Sequence, residues 1–173
     1  ARLHSIDDFL KQYRRENASS TDREVSPIPV HYQSWRLNYD DLTLEQEVGN
    51  GVSAVVYFGH HKKTGKQVAV KKLNFKKLSG GKLLTFQREI TILALAQHPT
   101  ILSFIGATDT PPFCIVTEWM PNNSLYHDIH KYHRLDATMK TIAMFDIARG
   151  MQFLHSRNII HRDLKTLNVL IDK

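Results

Sequence analysis

The chain has 173 residues, 42% of them hydrophobic and 23% charged, a balance that suits a globular domain with a real core. No run approaches the roughly 18 apolar residues of a membrane span, and no basic-then-apolar signal segment opens the chain, although Ala1 in place of methionine leaves an upstream address or anchor open. The net charge is +6 and Cys114 is the sole cysteine, so an internal disulfide is excluded and a reducing, cytoplasmic setting is expected.

In chain order, Ser5 and Asp8 form a capping box ahead of Ile6, Phe9, Leu10 and Tyr13, which predicts a short amphipathic helix over 5–16. Residues 17–29 are polar, contain Pro27 and Pro29, and read as a linker. From Leu42 the texture turns to strands. Leu42–Glu47 and Val52–Phe58 flank the turn Gly49-Asn50-Gly51, and Gln67–Leu73 follows a Lys-Thr-Gly turn, giving three consecutive antiparallel strands. Lys82–Leu95 predicts a helix with Leu83, Phe86, Ile90 and Leu93 as its apolar stripe. Two more strands are expected at 101–106 and 113–118. A long helix follows at 138–155, with Met139, Ile142, Ala143, Ile147, Met151 and Leu154 on one face. A five-stranded sheet with one helix, followed by a mainly helical part, is an α+β arrangement.

Four constellations carry chemistry. In Gly49-Asn50-Gly51-Val52-Ser53-Ala54, glycines let a backbone approach phosphate oxygens and turn N–H groups toward them. These glycines join two strands rather than a strand and a helix, which argues against a dinucleotide fingerprint, and Ala54 stands where a third glycine is usual. In Val68-Ala69-Val70-Lys71, period-two alternation puts Ala69 and Lys71 on one face, a small residue beside a cation that suits a flat purine with phosphates beyond it. A surface lysine at a strand end is the plainer reading, and Lys72 next door is an example. Glu89 falls inside the apolar stripe of the 82–95 helix, where an unpaired buried carboxylate costs several kcal/mol. It therefore calls for a cationic partner, and Lys71 is the candidate. The fourth is His161-Arg162-Asp163-Leu164-Lys165-Thr166-Leu167-Asn168, which reproduces the catalytic-loop pattern H-R-D-L-x-x-x-N in full, after a long helix and before the apolar run Val169-Leu170-Ile171.

Together, and in this order, these residues resemble the eukaryotic protein kinase family over Trp35–Lys173, roughly four-fifths of the chain. The finer texture is similar to the tyrosine-kinase-like group: Trp35 leading into Asp41-Leu42, the run His98-Pro99 to Gly106, and Thr117-Glu118-Trp119-Met120 followed by Pro121-Asn122-Asn123-Ser124-Leu125. Asn123 stands where a glycine is frequent. The resemblance implies a two-lobed fold: an extension at 1–34, a small lobe with hinge at 35–121, and the opening part of a larger lobe at 122–173. It also implies ATP and Mg2+ as cofactors. Val48, Gly49, Asn50 and Gly51 would cover the nucleotide, and Lys71 would hold its α- and β-phosphates and pair with Glu89. Val56 and Ala69 would cover one face of adenine and Leu170 the other. Backbone groups of Glu118 and Met120 would meet the adenine edge behind a gatekeeper at Thr117. Asp163 would orient the attacking hydroxyl and accept its proton, and Asn168 would hold a magnesium ion. Lys165, two residues past that aspartate, implies a Ser/Thr acceptor on a protein substrate. Arg162 is similar to an arginine that docks a phosphorylated activation loop.

The family's Asp-Phe-Gly is expected about a dozen residues past Asn168, beyond Lys173. On that reading the 173-residue piece alone is expected to be inactive and poorly soluble, with the 138–155 helix short of packing partners, while its parent is an active enzyme that carries regulatory domains elsewhere. A pseudokinase or nucleotide-binding scaffold is the alternative. A nucleic-acid module built on the eight lysines between Lys62 and Lys82 is disfavoured, because no aromatics are interleaved for stacking. His127, His130 and His133 sit three apart without cysteines or carboxylates around them, and read as decoration of a short surface helix and its following loop rather than as a zinc site.

Overall fold

A computed structural model describes residues 35–74 and 81–172, and the helix and linker expected within 1–34 lie outside the described residues. The described chain divides into two compact units, the first running to Asn122 and the second covering Asn123–Ile171.

The first unit is a five-stranded antiparallel sheet of β1 (Leu42–Asn50), β2 (Ala54–His61), β3 (Lys66–Leu73), β4 (Phe104–Ala107) and β5 (Cys114–Glu118), in the order β1-β2-β3-β5-β4. Valine alternation in β3 decides which face is buried. Val68 and Val70 are inaccessible to solvent and form a core with Leu42, Cys114 and Val116, against which Leu37, Tyr39, Leu44, Tyr57 and Ile105 pack. Burying each such valine contributes about 1.5–3 kcal/mol. Ala69 and Lys71 therefore face the other way. Helix α1 (Gly81–Leu95) lies on that second face, inserting Phe86 and Ile90, with the Phe86 ring edge-on to Phe113 at 5.8 Å. Both were expected in the apolar stripe.

Two glycines are required by close backbone approach. A Cβ on Gly59 of β2 would sit 1.9 Å from the Thr43 carbonyl oxygen of β1, and one on Gly106 of β4 would sit 2.4 Å from the Trp35 oxygen. The second contact reflects a short parallel bridge that adds residues 35–37 to the edge of β4, with Leu37 N–H donating to Ala107 O and Ala107 N–H to Trp35 O.

Several strand ends differ from expectation: β1 runs on to Asn50 rather than stopping at Glu47, and β2 to His61 rather than Phe58. β2 begins at Ala54 rather than Val52, because Gly51 N–H donates to Ala54 O and closes the turn two residues later. β4 spans Phe104–Ala107 rather than 101–106, because residues 99–101 turn and Ser103 is held by Glu118.

The second unit holds α2 (Leu125–His130) and α3 (Ala137–Ser156). His127 and His130 lie on α2 and His133 follows it, as expected. Asp128 is buried and accepts two hydrogen bonds from the Arg134 guanidinium. Asp136 caps α3 by accepting from Met139 N–H at 2.7 Å. The helix ends on Asn158 at φ 57°, with Ile159 N–H donating to Leu154 O and Asn158 N–H to His155 O. That is a Schellman stop, with asparagine in the left-handed position and Leu154 and Ile159 both buried. Met139, Ile142, Met144 and Phe145 remain exposed along α3. No helix among the described residues is long and apolar enough to cross a membrane.

Candidate active site

In the first unit the sheet register arranges the expected residues in two cross-strand rows. Phe58, Ala69 and Thr117 lie side by side, and Val56, Lys71 and Ile115 form the next row. Lys71 Nζ donates to Glu89 Oε1 at 2.5 Å, so the contact expected from the sequence is present. Both side chains are only half-buried, at 39% and 37% exposure, so Glu89 is less deeply set in the apolar stripe than its helical position implied.

The glycine-bearing stretch is part strand and part turn. Gly49 and Asn50 pair with Val56 and Val55, while Val48 is the extra residue of a β-bulge and is left exposed. The Asn50 side chain donates to Glu47 at 2.9 Å, and Val52 stands free at the tip. An unexpected residue organises this turn: Asn74, just past β3, hydrogen-bonds the carbonyls of Gly51, Val52 and Ser53.

At the end of β5, Glu118 is clamped to the segment ahead of β4. Its N–H donates to Ser103 O at 3.0 Å and its carboxylate accepts from Ser103 N–H at 2.7 Å. Trp119 rests on Phe58, ring centroids 4.8 Å apart, and Met120 is half-buried beside it. Neither Asn74 nor Phe58 carried a sequence signal, because each acts through a partner far away in the chain.

In the second unit, the chain leaves α3 at Asn158 and enters the loop that ends in a 3-10 turn at Thr166–Asn168. An antiparallel bridge between Ser124 and Leu170, with Leu125 N–H donating to Val169 O, ties the end of this loop to the start of α2. Asn168 Nδ2 donates to the backbone oxygen and to Oδ2 of Asp163, at 2.8 Å each. Lys165 Nζ lies 3.0 Å from Oδ1 of the same carboxylate. Asp163 N–H donates to His161 Nδ1 at 3.3 Å. Arg162, between them, has φ 67°, a left-handed conformation in which a non-glycine residue stores strain. The Lys165 ammonium, and then the Asn168 amide, hold the Asp163 carboxyl below its ordinary range. Asp163 stays ionised and oriented on a short loop.

With its nitrogen committed to Asp163, the Asn168 amide leaves its oxygen for another partner. That is a hard donor of the kind magnesium takes, alongside phosphate and water oxygens. Asn168 thus fits a magnesium ion as one ligand of several. Among the described residues, no group of three or more histidine, cysteine or acidic side chains stands ready to hold a metal alone.

The protein kinase domain family model matches residues 42–173. A probable serine/threonine-protein kinase of Dictyostelium discoideum is 40% identical across 84% of this chain. The Raf homolog serine/threonine-protein kinase of Caenorhabditis elegans is 34% identical across 94%, and the Arabidopsis thaliana serine/threonine-protein kinase CTR1 is 37% identical across 77%. The chain spans 11%, 20% and 17% of the lengths of these three proteins.

Proposed function

Because this chain belongs to the protein kinase domain family, we propose that the protein transfers the γ-phosphate of ATP to serine or threonine hydroxyls of protein substrates. The observation that carries this reading is the grip on Asp163, one carboxylate oxygen on Asn168 and the other beside Lys165.

The chemistry follows from that grip. A carboxylate with a lowered pKa is a weak base toward an alcohol, so Asp163 orients the hydroxyl first. It takes up the proton late, when bonding to phosphorus has made that proton acidic. The Lys165 cation, beside that carboxylate, is proposed to meet the negative charge that accumulates on the transferring group. A lysine at this place, and the names of the relatives, support Ser/Thr rather than tyrosine as acceptor. Lys71, steadied by Glu89, is the residue proposed to hold the α- and β-phosphates. Val48, Gly49, Asn50 and Gly51 are proposed to cover the nucleotide. Val56, Ala69 and Leu170 are proposed to flank adenine, and Thr117, Glu118 and Met120 to line its edge. Asn168 would hold a magnesium ion, which would supply neutralisation of phosphate charge. In domain terms, 35–121 is proposed as the small lobe with its hinge, 122–173 as the opening of the larger lobe, and 1–34 as an extension. The single, unbridged Cys114 and the need for ATP favour an intracellular setting.

The test is phosphotransfer by the full-length protein onto matched serine, threonine and tyrosine peptides. Lys71→Met and Asp163→Asn are each expected to lower kcat by about a hundredfold or more. Transfer that survives both substitutions, or that goes only to tyrosine, overturns the assignment.

A further inference from the structure

Between β1 and β2 the chain turns through Gly51, Val52 and Ser53, and three hydrogen bonds tie this turn to one residue of β3's outgoing end. Asn74 N–H donates to Ser53 O at 2.9 Å, and Asn74 Nδ2 donates to Gly51 O and Val52 O, each at 3.3 Å. The Asn74–Ser53 bond continues the β2–β3 ladder one step past the Ala54–Leu73 pair. The two side-chain bonds reach beyond the ladder and take hold of the turn itself.

The direction of those bonds determines where the loop's donors point. In a trans peptide, the carbonyl of one residue and the N–H of the next point in opposite directions. Among the described residues the one cis bond is Pro111–Pro112, which is not part of this turn. With the Gly51 and Val52 carbonyls drawn to Asn74, the N–H groups of Val52 and Ser53 are turned away from it, side by side. Consecutive backbone N–H groups set this way form an anion-binding concavity. A glycine turn closed by its own Gly51–Ala54 bond does not by itself choose which side its amides face. The Asn74 amide, a double donor anchored at a strand end, makes that choice.

We propose that Asn74 is a positioning residue for phosphate binding: by holding the carbonyls of the 51–53 turn, it presents the turn's N–H groups to the phosphates of ATP. This rests on the ATP-binding reading above. Asn74 does not touch the nucleotide in this account. Its effect is confined to the phosphate end, and the adenine-contacting groups on β2, β3 and β5 are independent of it.

The experiment measures binding of ATP and of adenosine to the full-length protein by calorimetry, for the native protein and for Asn74→Ala, Asn74→Asp and Asn74→Gln. Two lost hydrogen bonds of ordinary net strength correspond to an ATP affinity weaker by about fivefold or more in Asn74→Ala, with adenosine affinity unchanged. Asn74→Asp, which replaces the donor by a negative charge facing carbonyls, is expected to lose more. Asn74→Gln, which keeps the amide donor, is expected to recover part of the loss. In steady state the alanine variant raises KM for ATP and leaves kcat within about twofold. Equal weakening of ATP and adenosine makes Asn74 merely structural and overturns the proposal, as does unchanged ATP affinity in Asn74→Asp. Failure of the underlying reading looks different: native protein that binds ATP no better than adenosine, with Lys71→Met without effect, removes the ATP site before Asn74 enters.

Discussion

Asn168 donates to both the backbone carbonyl and the carboxylate of Asp163, at 2.8 Å in each case. One side chain thereby sets the direction of the acid's chain and of its charge together. Asp163 is exposed, so these bonds act on orientation and protonation rather than as a large stability reserve.

Replacing Lys165 by methionine removes the leading cause of the Asp163 shift, and the Asp163 pKa should rise toward the ordinary value of 3.8. Carbon-detected NMR titration of the carboxyl carbon checks this. The sign for stability follows. A carboxyl with a lowered folded pKa favours the fold above its unfolded value, and that contribution is lost as pH falls through the folded pKa, below 3.8. In Lys165→Met the window narrows. An Asp163 that titrates identically in both proteins contradicts the account.

Substituting Glu89→Gln should separate activity from stability. Both partners of the Lys71 pair are more than a third exposed, so the loss in unfolding free energy should stay within about 1 kcal/mol. Activity should fall at least about tenfold, because the lysine loses its steadying partner. Chemical denaturation measured beside kinase assays reads the two effects independently.

Burial pushes the Cys114 thiol up to about 11, against smaller lowering by Lys72 and by its hydrogen bond with Thr108. The thiol should resist a disulfide reagent in the folded protein at pH 8 and react at once on unfolding. A raised folded pKa also means that its contribution to stability is intact below the ordinary value of 9.0 and is lost as pH climbs toward 11. Rapid native labelling at pH 8 is the contrary result.

The left-handed stop at Asn158 should discriminate sharply among substitutions. Asn158→Gly should be neutral or slightly stabilising, whereas Asn158→Val should cost about 1–2 kcal/mol by thermal or urea unfolding. Because this stop delivers the chain into the Asp163 loop, the valine variant should lose activity as well.

Much of the site was legible as a string, since its residues are tied by short local geometry. Asp163, Lys165 and Asn168 meet because a single tight loop brings a fixed spacing together, and Ala69 and Lys71 share a face because strands alternate. The Lys71–Glu89 contact was also foreseen, from the cost of a carboxylate in an apolar stripe, though the exposure of that carboxylate was not. Asn74 stayed hidden because a polar residue after a strand has no periodicity to betray it. Its meaning lies in carbonyls some twenty residues away, at Gly51 and Val52.

By itself the sequence determined the order and type of the main elements and the spacing that brings Asp163, Lys165 and Asn168 together, because alternation, helical period and motif spacing are local properties of a chain. Tertiary structure alone decided the strand order β1-β2-β3-β5-β4, the bulge that sets Val48 apart, and the glycine contacts at Thr43 and Trp35. It also decided which side chain holds the carbonyls of the glycine turn. Each of these depends on which distant backbone happens to lie within hydrogen-bond or van der Waals reach, and that is settled only when the core closes.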